Sequence, residues 1–396
     1  MQSYKKYLIF KRKSEKKFVF SYFLCIFAPL FYKIGQKMTL YSQNFYRLLY
    51  DWYEANHRIL PWRETENPYY IWLSEIILQQ TRVVQGMDYY HRFVTTYPTI
   101  EMLAAAAEDD VLRLWQGLGY YSRARNLHRA AQMIVGNQAS SIRQNTSDNS
   151  NYTSEIRFPK TFNELRSLPG VGDYTAGAIA SFAYNLPYPA LDGNVYRVLA
   201  RLNDCEMAFD TSAGKKYFHG LAEQLLDKAN PRLFNSAIME FGALYCLPQS
   251  PDCTNCPIQA FCKAYAAGTV DLLPVRKPRP TLRNRYFTYT IYITPDNKTL
   301  IHQRSAKDIW QHLYEFPLIE HSSEEKWQKY KMHGARALPS LTHILSHQRL
   351  HARFYVMPVN ELPILPDSFA ITWEELDNYA LARLTLKALE AVNRLP

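Results

Sequence analysis

Four cysteines in one short segment are the clearest candidates for chemistry in this sequence. They follow the pattern Cys-x6-Cys-x2-Cys-x5-Cys, at Cys246, Cys253, Cys256 and Cys262. Thiolates this close together can converge on one metal centre without help from distant parts of the chain. Zinc also accepts four thiolates, but its sites more often use two CxxC pairs, and this cluster has one. The spacing therefore predicts a metal centre and favours an iron–sulfur cluster over zinc.

Two carboxylates have surroundings that suit acid–base work. Glu75 lies within the apolar segment 72–78 (WLSEIIL), and a buried carboxyl acquires the raised pKa that a general acid needs near neutral pH. The simpler alternative for Glu75 is an ion pair at the surface. Asp192 lies in the segment LDGNV, directly before a helical pattern, where an ordinary helix N-cap would explain it equally well. The sequence alone leaves both alternatives open.

A short glycine-containing turn is a candidate phosphate site. The segment 168–172 (LPGVG) separates helical patterns that begin near Thr161 and Tyr174. Gly170 and Gly172 permit positive φ angles and leave backbone N–H groups unobstructed. Such a turn at a helix N-terminus can bind a DNA phosphate without reading sequence, although a plain interhelical turn fits Gly-x-Gly as well.

The elements that must position these residues are mainly helical. Apolar residues recur at helical spacing over residues 42–134 and again over 161–243. Residues 137–156 are rich in Ser, Asn and Thr and predict a mobile insertion. Aromatic and β-branched residues at 286–293 and 354–356 predict strands, so a smaller α+β domain follows. We expect a helical domain over 38–269, a Pro- and Arg-rich linker over 270–284, and a second domain over 285–396.

Net charge is a weak guide to partners here. The chain has 396 residues and a formal charge of +10, but residues 1–37 hold nine Lys or Arg against the single acid Glu15. The apolar run 18–32 in that segment is shorter than the roughly 20 residues that span a bilayer. We expect this extension to be disordered, or to reflect a translation start upstream of Met38. The isolated Cys25 and Cys205 are interpreted as incidental thiols, since six cysteines in this length do not indicate a disulfide framework.

Taken together, these motifs resemble the endonuclease III superfamily of DNA glycosylases, with its helix–hairpin–helix and four-cysteine loop. Within that superfamily the sequence is most similar to the MutY family of adenine glycosylases, over residues 42–280. The segments that carry this resemblance are LPWR (60–63), LSEIILQQTRV (73–83), WQGLGYY (115–121), ARNLHRAA (124–131), LPGVG (168–172), LDGNVYRVLAR (191–201) and the four cysteines.

Two further features separate subfamilies. Lyases of this superfamily place a Schiff-base lysine two residues past the second glycine of the hairpin, where this chain has Tyr174. A phenol cannot form an imine, so we expect a monofunctional glycosylase. Segments 302–317 and 342–349 resemble the Nudix-like C-terminal domain of the MutY family, which recognises 8-oxoguanine. The Nudix hydrolase signature is missing from 317–340, and Leu345 stands where the family usually has an aromatic residue.

The resemblance implies roles for individual residues. Glu75 would protonate adenine N7 with a raised pKa, while an ordinarily ionised Asp192 would stabilise the positive charge left on the sugar. Tyr174 would hydrogen-bond Asp192 or the departing base. The remaining implied residues are an adenine pocket of Arg58, Leu60, Trp62, Arg63 and Glu240, and DNA contacts from Gln80, Tyr120, Gly170, Gly172, Ser346 and His347. Trp62 could equally be a core residue.

The resemblance also implies a cofactor and partners. The cysteines would bind a [4Fe-4S] cluster. The partner would be double-stranded DNA containing adenine opposite 8-oxoguanine or guanine, with no membrane partner. We expect a monomer in the cytoplasm, associated with the nucleoid. The fold implied is mainly α, a helix–hairpin–helix core with an iron–sulfur loop, followed by an α+β Nudix-like domain.

Overall fold

The computed structural model describes residues 43–145, 157–278 and 281–392. The basic and apolar extension over residues 1–37 and residues 146–156 of the predicted insertion lie outside this range. Within the described ranges, no helix is long and apolar enough to cross a membrane.

The helices match the predicted helical regions. The first, α1, covers residues 43–56. The others are α2 (Pro68–Ile77), α3 (Val83–Thr96), α4 (Ile100–Ala105), α5 (Glu108–Leu114), α6 (Ser122–Asn145), α7 (Phe162–Ser167), α8 (Asp173–Tyr184), α9 (Gly193–Asn203), α10 (Ser212–Leu225), α11 (Pro231–Leu244), α12 (Lys263–Ala267), α13 (Glu324–Lys329) and α14 (Arg383–Val392). Helix α6 continues to Asn145, so residues 137–145 of the predicted insertion are helical.

Within the described residues, the strands all follow residue 282. They are β1 (Arg283–Ile293), β2 (Lys298–Gln303), β3 (Tyr314–Glu315), β4 (Leu318–His321), β5 (Arg336–Ala337), β6 (Leu341–Ile344), β7 (Gln348–Pro358) and β8 (Ser368–Thr372). One sheet has the order β4-β1-β7-β5 with β6 also pairing β7, and the other has the order β3-β2-β8. The long β1 and β7 run parallel, with Phe287 opposite Ala352. The mainly α fold with a C-terminal α+β domain is confirmed.

The described chain divides into two compact units that do not follow the predicted domain boundary. One unit combines the chain up to Ile59 with Asn185–Arg276, and the other combines Leu60–Tyr184 with the chain from Lys277 onward. The first unit has its own core, which includes Phe45, Val198 and Phe241. Leu273 is buried in that core, so the segment from 270 to 276, expected to be part of a linker, packs with the first unit.

The second unit contains the helix–hairpin–helix. Thr161 caps α7 through a reciprocal pair of bonds with Glu164, and α8 begins at Asp173, as the turn predicted. The β domain of this unit has a core of alternate residues from its long strands, among them Phe287, Tyr289 and Phe354. Thr288 and Thr290, on the other face of β1, are buried as well, so this strand is covered on both faces.

Candidate active site

Glu75 is buried on α2, and both oxygens of its carboxylate lie near polar groups. Pro68 begins this helix and the side chain of Asn67 caps it. The start of the helix at Pro68 determines which face of α2 carries Glu75. The Glu75 side chain is 4% exposed. Its Oε2 accepts a hydrogen bond from the Tyr174 hydroxyl at 2.8 Å, and its Oε1 lies 3.6 Å from Nη1 of Arg63. These partners offset the cost of burying a charged carboxylate. The ion pair considered from the sequence is therefore present with Arg63, but Glu75 is buried and not at the surface.

Tyr174 contacts Glu75, a partner that the sequence did not suggest, and its expected contact with Asp192 or the departing base stays a prediction. Its hydroxyl donates to Glu75, because α8 packs against α2 within the second unit. Arg63 completes the cluster, with its guanidinium 3.7 Å above the Phe182 ring of the same helix α8. The structure therefore brings Glu75, Tyr174 and Arg63 together as one group.

Asp192 has a different environment, made of neutral donors. It is the N-cap of α9, and Oδ1 accepts a hydrogen bond from the Val195 N–H at 2.8 Å. Oδ2 accepts one from the Asn194 side-chain amide at 2.8 Å. Burial raises the pKa of Asp192 above its ordinary value, against the opposing effect of these hydrogen bonds. The expectation of an ordinary pKa for Asp192 is therefore wrong, and the capping contact proposed from the sequence is present.

Sequence reasoning missed two arginines of α9 that bond to the cysteine loop, of which Arg197 also reaches Asp192 through Asn194. Arg197 is buried, and it donates from Nη2 to the side-chain oxygen of Asn194 at 2.9 Å and from Nε to the Cys246 carbonyl at 2.7 Å. Arg201 donates to the Cys246 sulfur at 3.3 Å and to the Leu247 carbonyl at 2.7 Å. Residues 194, 197 and 201 share one face of α9 at helical spacing, and that signal was visible in the sequence.

The four cysteines line one cavity of the first unit, together with apolar residues such as Val198 and Phe241. Burial raises the pKa of the Cys256 thiol to about 12, so this group needs a bound cation to act as a thiolate. In the described parts of the chain, no three or more His, Cys, Asp or Glu side chains are grouped closely enough to hold a single metal ion. Four thiols around one cavity fit a metal centre with sulfur ligands.

The predicted adenine-pocket residues fall into separate groups. Arg58 and Glu240 form a bidentate ion pair in the first unit, with Nε to Oε1 at 2.6 Å and Nη2 to Oε2 at 2.8 Å. Leu60 and Trp62 are buried in the second unit, where the Trp62 ring contacts Tyr90 edge to face at 5.1 Å between centroids. Trp62 is 1% exposed, so the core alternative describes this structure.

The hairpin turn has the open geometry that a phosphate contact needs. Gly170 has φ +77°, and a side chain there would meet Cβ of Asn126 at 3.0 Å. Its carbonyl accepts a bond from the Gln79 side chain at 3.3 Å. Gly172 does not have a positive φ, and the space where its Cβ would be is empty. A DNA backbone could therefore approach Gly172 closely.

The remaining predicted DNA contacts are exposed. Gln80 and Tyr120 both have left-handed backbones, with φ of +56° and +49°. The Tyr120 hydroxyl lies 2.6 Å from Oγ of Ser346, so residues far apart in sequence meet in the second unit. Ser346 and His347 are exposed at the β6–β7 turn, whereas Leu345 is half-buried against the core of the β domain. That position of Leu345 does not suit insertion into DNA.

Comparison with known proteins agrees with this geometry. Residues 73–224 match the profile of the HhH-GPD superfamily base excision DNA repair proteins, and residues 288–391 match that of the NUDIX domain. The protein is 31% identical to an adenine DNA glycosylase of Buchnera aphidicola over 84% of this chain and 92% of that one. It is 31% identical to the adenine DNA glycosylase of Rattus norvegicus over 85% of this chain and 76% of that one.

Among solved structures, a thermostable thymine-DNA glycosylase aligns with 59% of this chain and 99% of its own, at 24% identity and a TM-score of 0.49. The sequence matches to the curated relatives extend over both the helical region and the β domain. This chain belongs to the adenine DNA glycosylase family.

Proposed function

We propose that this protein is a monofunctional DNA glycosylase that excises adenine mispaired with 8-oxoguanine or guanine in base excision repair. The observation that carries the proposal is the buried Glu75 with Tyr174 and Arg63 around it. We also propose that the protein is a monomer, that its substrate is double-stranded DNA, and that it acts in the nucleoid. The membership in the adenine DNA glycosylase family supports adenine as the base released.

The chemistry divides between two carboxyl groups. Adenine leaves poorly as an anion, and protonation of N7 by Glu75 lets it leave as a neutral molecule. Tyr174 and Arg63 then stabilise the carboxylate that Glu75 becomes after it has given up its proton. Departure of the base leaves positive charge on the deoxyribose, which the Asp192 carboxylate would stabilise electrostatically. A water molecule then adds to C1′ and loses a proton, which leaves an abasic sugar. The pairing resembles the two-carboxylate mechanism of glycoside hydrolases on another fold.

The base must leave the helix stack before this chemistry. We propose that Gln80 and Tyr120 enter the duplex beside the lesion, that Gly170 and Gly172 contact a phosphate, and that Ser346 and His347 contact 8-oxoguanine. Their exposure and the open space at Gly172 support these roles. We propose that Arg58, Leu60, Arg63 and Glu240 surround the flipped adenine, and we assign Trp62 to the core.

A test uses duplexes with one adenine opposite 8-oxoguanine, guanine or thymine, incubated with enzyme and then with or without hot alkali. We expect strand cleavage only after alkali, and only for the first two duplexes. Cleavage without alkali would indicate a lyase. Tight binding with no release from any adenine mispair would contradict the proposal and would fit a non-catalytic damage sensor instead.

We further propose that Cys246, Cys253, Cys256 and Cys262 hold a [4Fe-4S] cluster with a structural and DNA-positioning role. The cavity they share, with Arg197 and Arg201 bonded to the cysteine loop, supports this. When bound, such a cluster absorbs broadly near ~400 nm through thiolate charge transfer. Protein purified without oxygen should be brown and carry about four irons, whereas a colourless, zinc-loaded preparation would contradict the proposal.

A further inference from the structure

We propose that Arg123 is a positioning residue for base extrusion, because its guanidinium fixes the two turns that carry Gln80 and Tyr120. This inference rests on the proposed function, in which those two side chains enter the duplex. It adds a residue that contacts neither the base nor the two carboxyl groups.

The first contact of Arg123 is with the end of the helix that carries Glu75. Arg123 is the second residue of α6 and is 8% exposed. Its Nη1 donates to the carbonyls of Ile76 at 3.1 Å and Ile77 at 2.8 Å, the last two residues of α2. The last carbonyls of a helix have no partner within it, and a cation is favoured there by the helix dipole.

The second contact brackets Gln80. Nη1 also donates to the carbonyl of Gln79 at 2.5 Å and approaches Oγ1 of Thr81 at 3.3 Å. Gln80 lies between these two residues with φ +56° and an exposed side chain. A non-glycine residue keeps such a backbone only when its neighbours are held firmly. Arg123 supplies that restraint on both sides.

The third contact reaches the turn of Tyr120. Nη2 donates to the Gly119 carbonyl at 3.1 Å, and the guanidinium lies 5.6 Å from the centre of the Tyr120 ring. On its other side the guanidinium lies 5.0 Å from the ring of the buried Trp115. Tyr120 has φ +49° and is 48% exposed. One planar group therefore sets the separation of two left-handed, exposed side chains.

Arginine suits this position better than lysine. Burial lowers the pKa of Arg123 to about 10, so the group stays charged at neutral pH. Its five donors lie in one rigid plane and can reach several carbonyls at once, whereas a lysine ammonium is a point charge on a flexible stem. Arg123→Lys should keep the charge and lose the fixed separation of the two turns.

The test compares Arg123→Lys, Arg123→Met and a matched control, Arg129→Met, an exposed arginine on the same helix. The probe is a duplex with one 8-oxoguanine·adenine pair and 2-aminopurine beside the adenine, whose fluorescence rises when the adenine leaves the stack. A second duplex carries mismatches on both sides of the same pair, so that it is already open. Single-turnover excision is measured on both.

We expect Arg123→Lys to slow the fluorescence rise by about tenfold or more, since a displacement near 1 Å can cost about a hundredfold in rate. Excision from the open duplex should stay within about twofold of the unaltered protein, and Arg129→Met should change neither. Arg123→Met should show the same pattern if its thermal unfolding midpoint shows that it folds; if it does not fold, Arg123→Lys decides.

Equal slowing on the two duplexes would overturn the proposal, because Arg123 would then act on Glu75 or on stability. An unchanged fluorescence rise in Arg123→Lys would overturn it as well. Failure of the proposed function is distinguishable, because the unaltered protein would then release no adenine. In that case the fluorescence rise would still show whether Arg123 affects the extrusion of adenine from the stack.

Discussion

Glu75 is buried and Asp192 is half-buried, and the partners of the two acidic side chains differ in charge. Glu75 contacts a guanidinium and a phenol, from Arg63 and Tyr174. Asp192 accepts hydrogen bonds from a backbone amide and the neutral side chain of Asn194. Neighbouring charge and hydrogen bonding decide which protonation state a carboxyl group prefers. We therefore expect the two carboxyl groups to have different roles in catalysis.

The difference suggests how the roles are divided. A carboxyl group that donates its proton must be stable afterwards as a carboxylate, and the partners of Glu75 provide that stability. Asp192 accepts its hydrogen bonds from neutral groups; burial is the largest effect on its pKa and raises it, although the charge of Arg197 acts in the opposite direction. A carboxylate whose charge is incompletely offset stabilises nearby positive charge effectively in a site that excludes water.

The largest effect should come from removing the proton donor. Glu75→Gln keeps the shape and can still accept the Tyr174 hydrogen bond, but it has no proton to give to adenine. We expect single-turnover release of adenine to fall by about 10³-fold, within the range that general acids contribute. Affinity for the 8-oxoguanine·adenine duplex should change little. Substantial residual release would mean that the proton comes from another group.

Replacing Asp192 by Asn separates capping from chemistry. Asn caps helices about as well as Asp, so the free energy of unfolding should hardly change. Release of adenine should nevertheless fall by roughly 10²- to 10³-fold, as for the loss of an electrostatic stabiliser. Thr211→Ala is the matched control, because it removes the cap of α10 in the same unit, together with one hydrogen bond to the Ala208 carbonyl. It should cost about 1 kcal/mol of stability and leave release intact. A normal rate in Asp192→Asn would reduce Asp192 to a cap.

The pH dependence of adenine release tests the environment of Asp192, and we expect a smaller effect there than from Asp192→Asn. The ionised form is the active one, so release falls as the pH drops through the pKa of Asp192. The Asn194 hydrogen bond lowers that pKa against the effect of burial. Asn194→Ala should therefore raise the pKa of Asp192 and move the acid limb of the profile to higher pH. At pH values above that limb, the rate of release should fall less than it does in Asp192→Asn. A limb that stays in place, or moves to lower pH, would show that it reports another group.

The smallest effect is expected at the opposite-strand contact. Ser346→Ala removes one hydroxyl, which lies against Tyr120 and is exposed. A single neutral hydrogen bond contributes about 0.5–1.5 kcal/mol, or roughly 2- to 10-fold. The preference for 8-oxoguanine over guanine should fall by that factor, with release opposite guanine unchanged. Equal losses on both duplexes would place Ser346 outside lesion recognition.

Much of the fold could be predicted because it depends on local patterns. The 3.6-residue period, the cap at Thr161 and the turn at Gly170 predicted the helices around the hairpin. The β1 and β7 strands were predicted from their aromatic and β-branched residues. The predicted linker began at residue 270, but residues 270–276 pack with the first unit, where Leu273 is buried in the core. A Pro- and Arg-rich composition does not exclude such packing.

The partners of the acidic residues could not be predicted, because they depend on which side chains from distant helices meet. Tyr174 lies 99 residues from Glu75 in sequence, and its direction toward Glu75 follows from the packing of α8 on α2. Arg197 and Arg123 appeared in the sequence as ordinary basic residues of helices. Their burial and their bonds to backbone carbonyls emerge only in three dimensions.

The most direct test of the account is to identify the product released from a duplex with labelled adenine opposite 8-oxoguanine. Under single-turnover conditions, the unaltered protein should release one free adenine for each duplex and leave the strand intact until alkali is added. Glu75→Gln should bind the same duplex and release almost none. Free adenine at an undiminished rate from Glu75→Gln, or no free adenine from the unaltered protein, would contradict the assignment of Glu75 as the acid that drives excision.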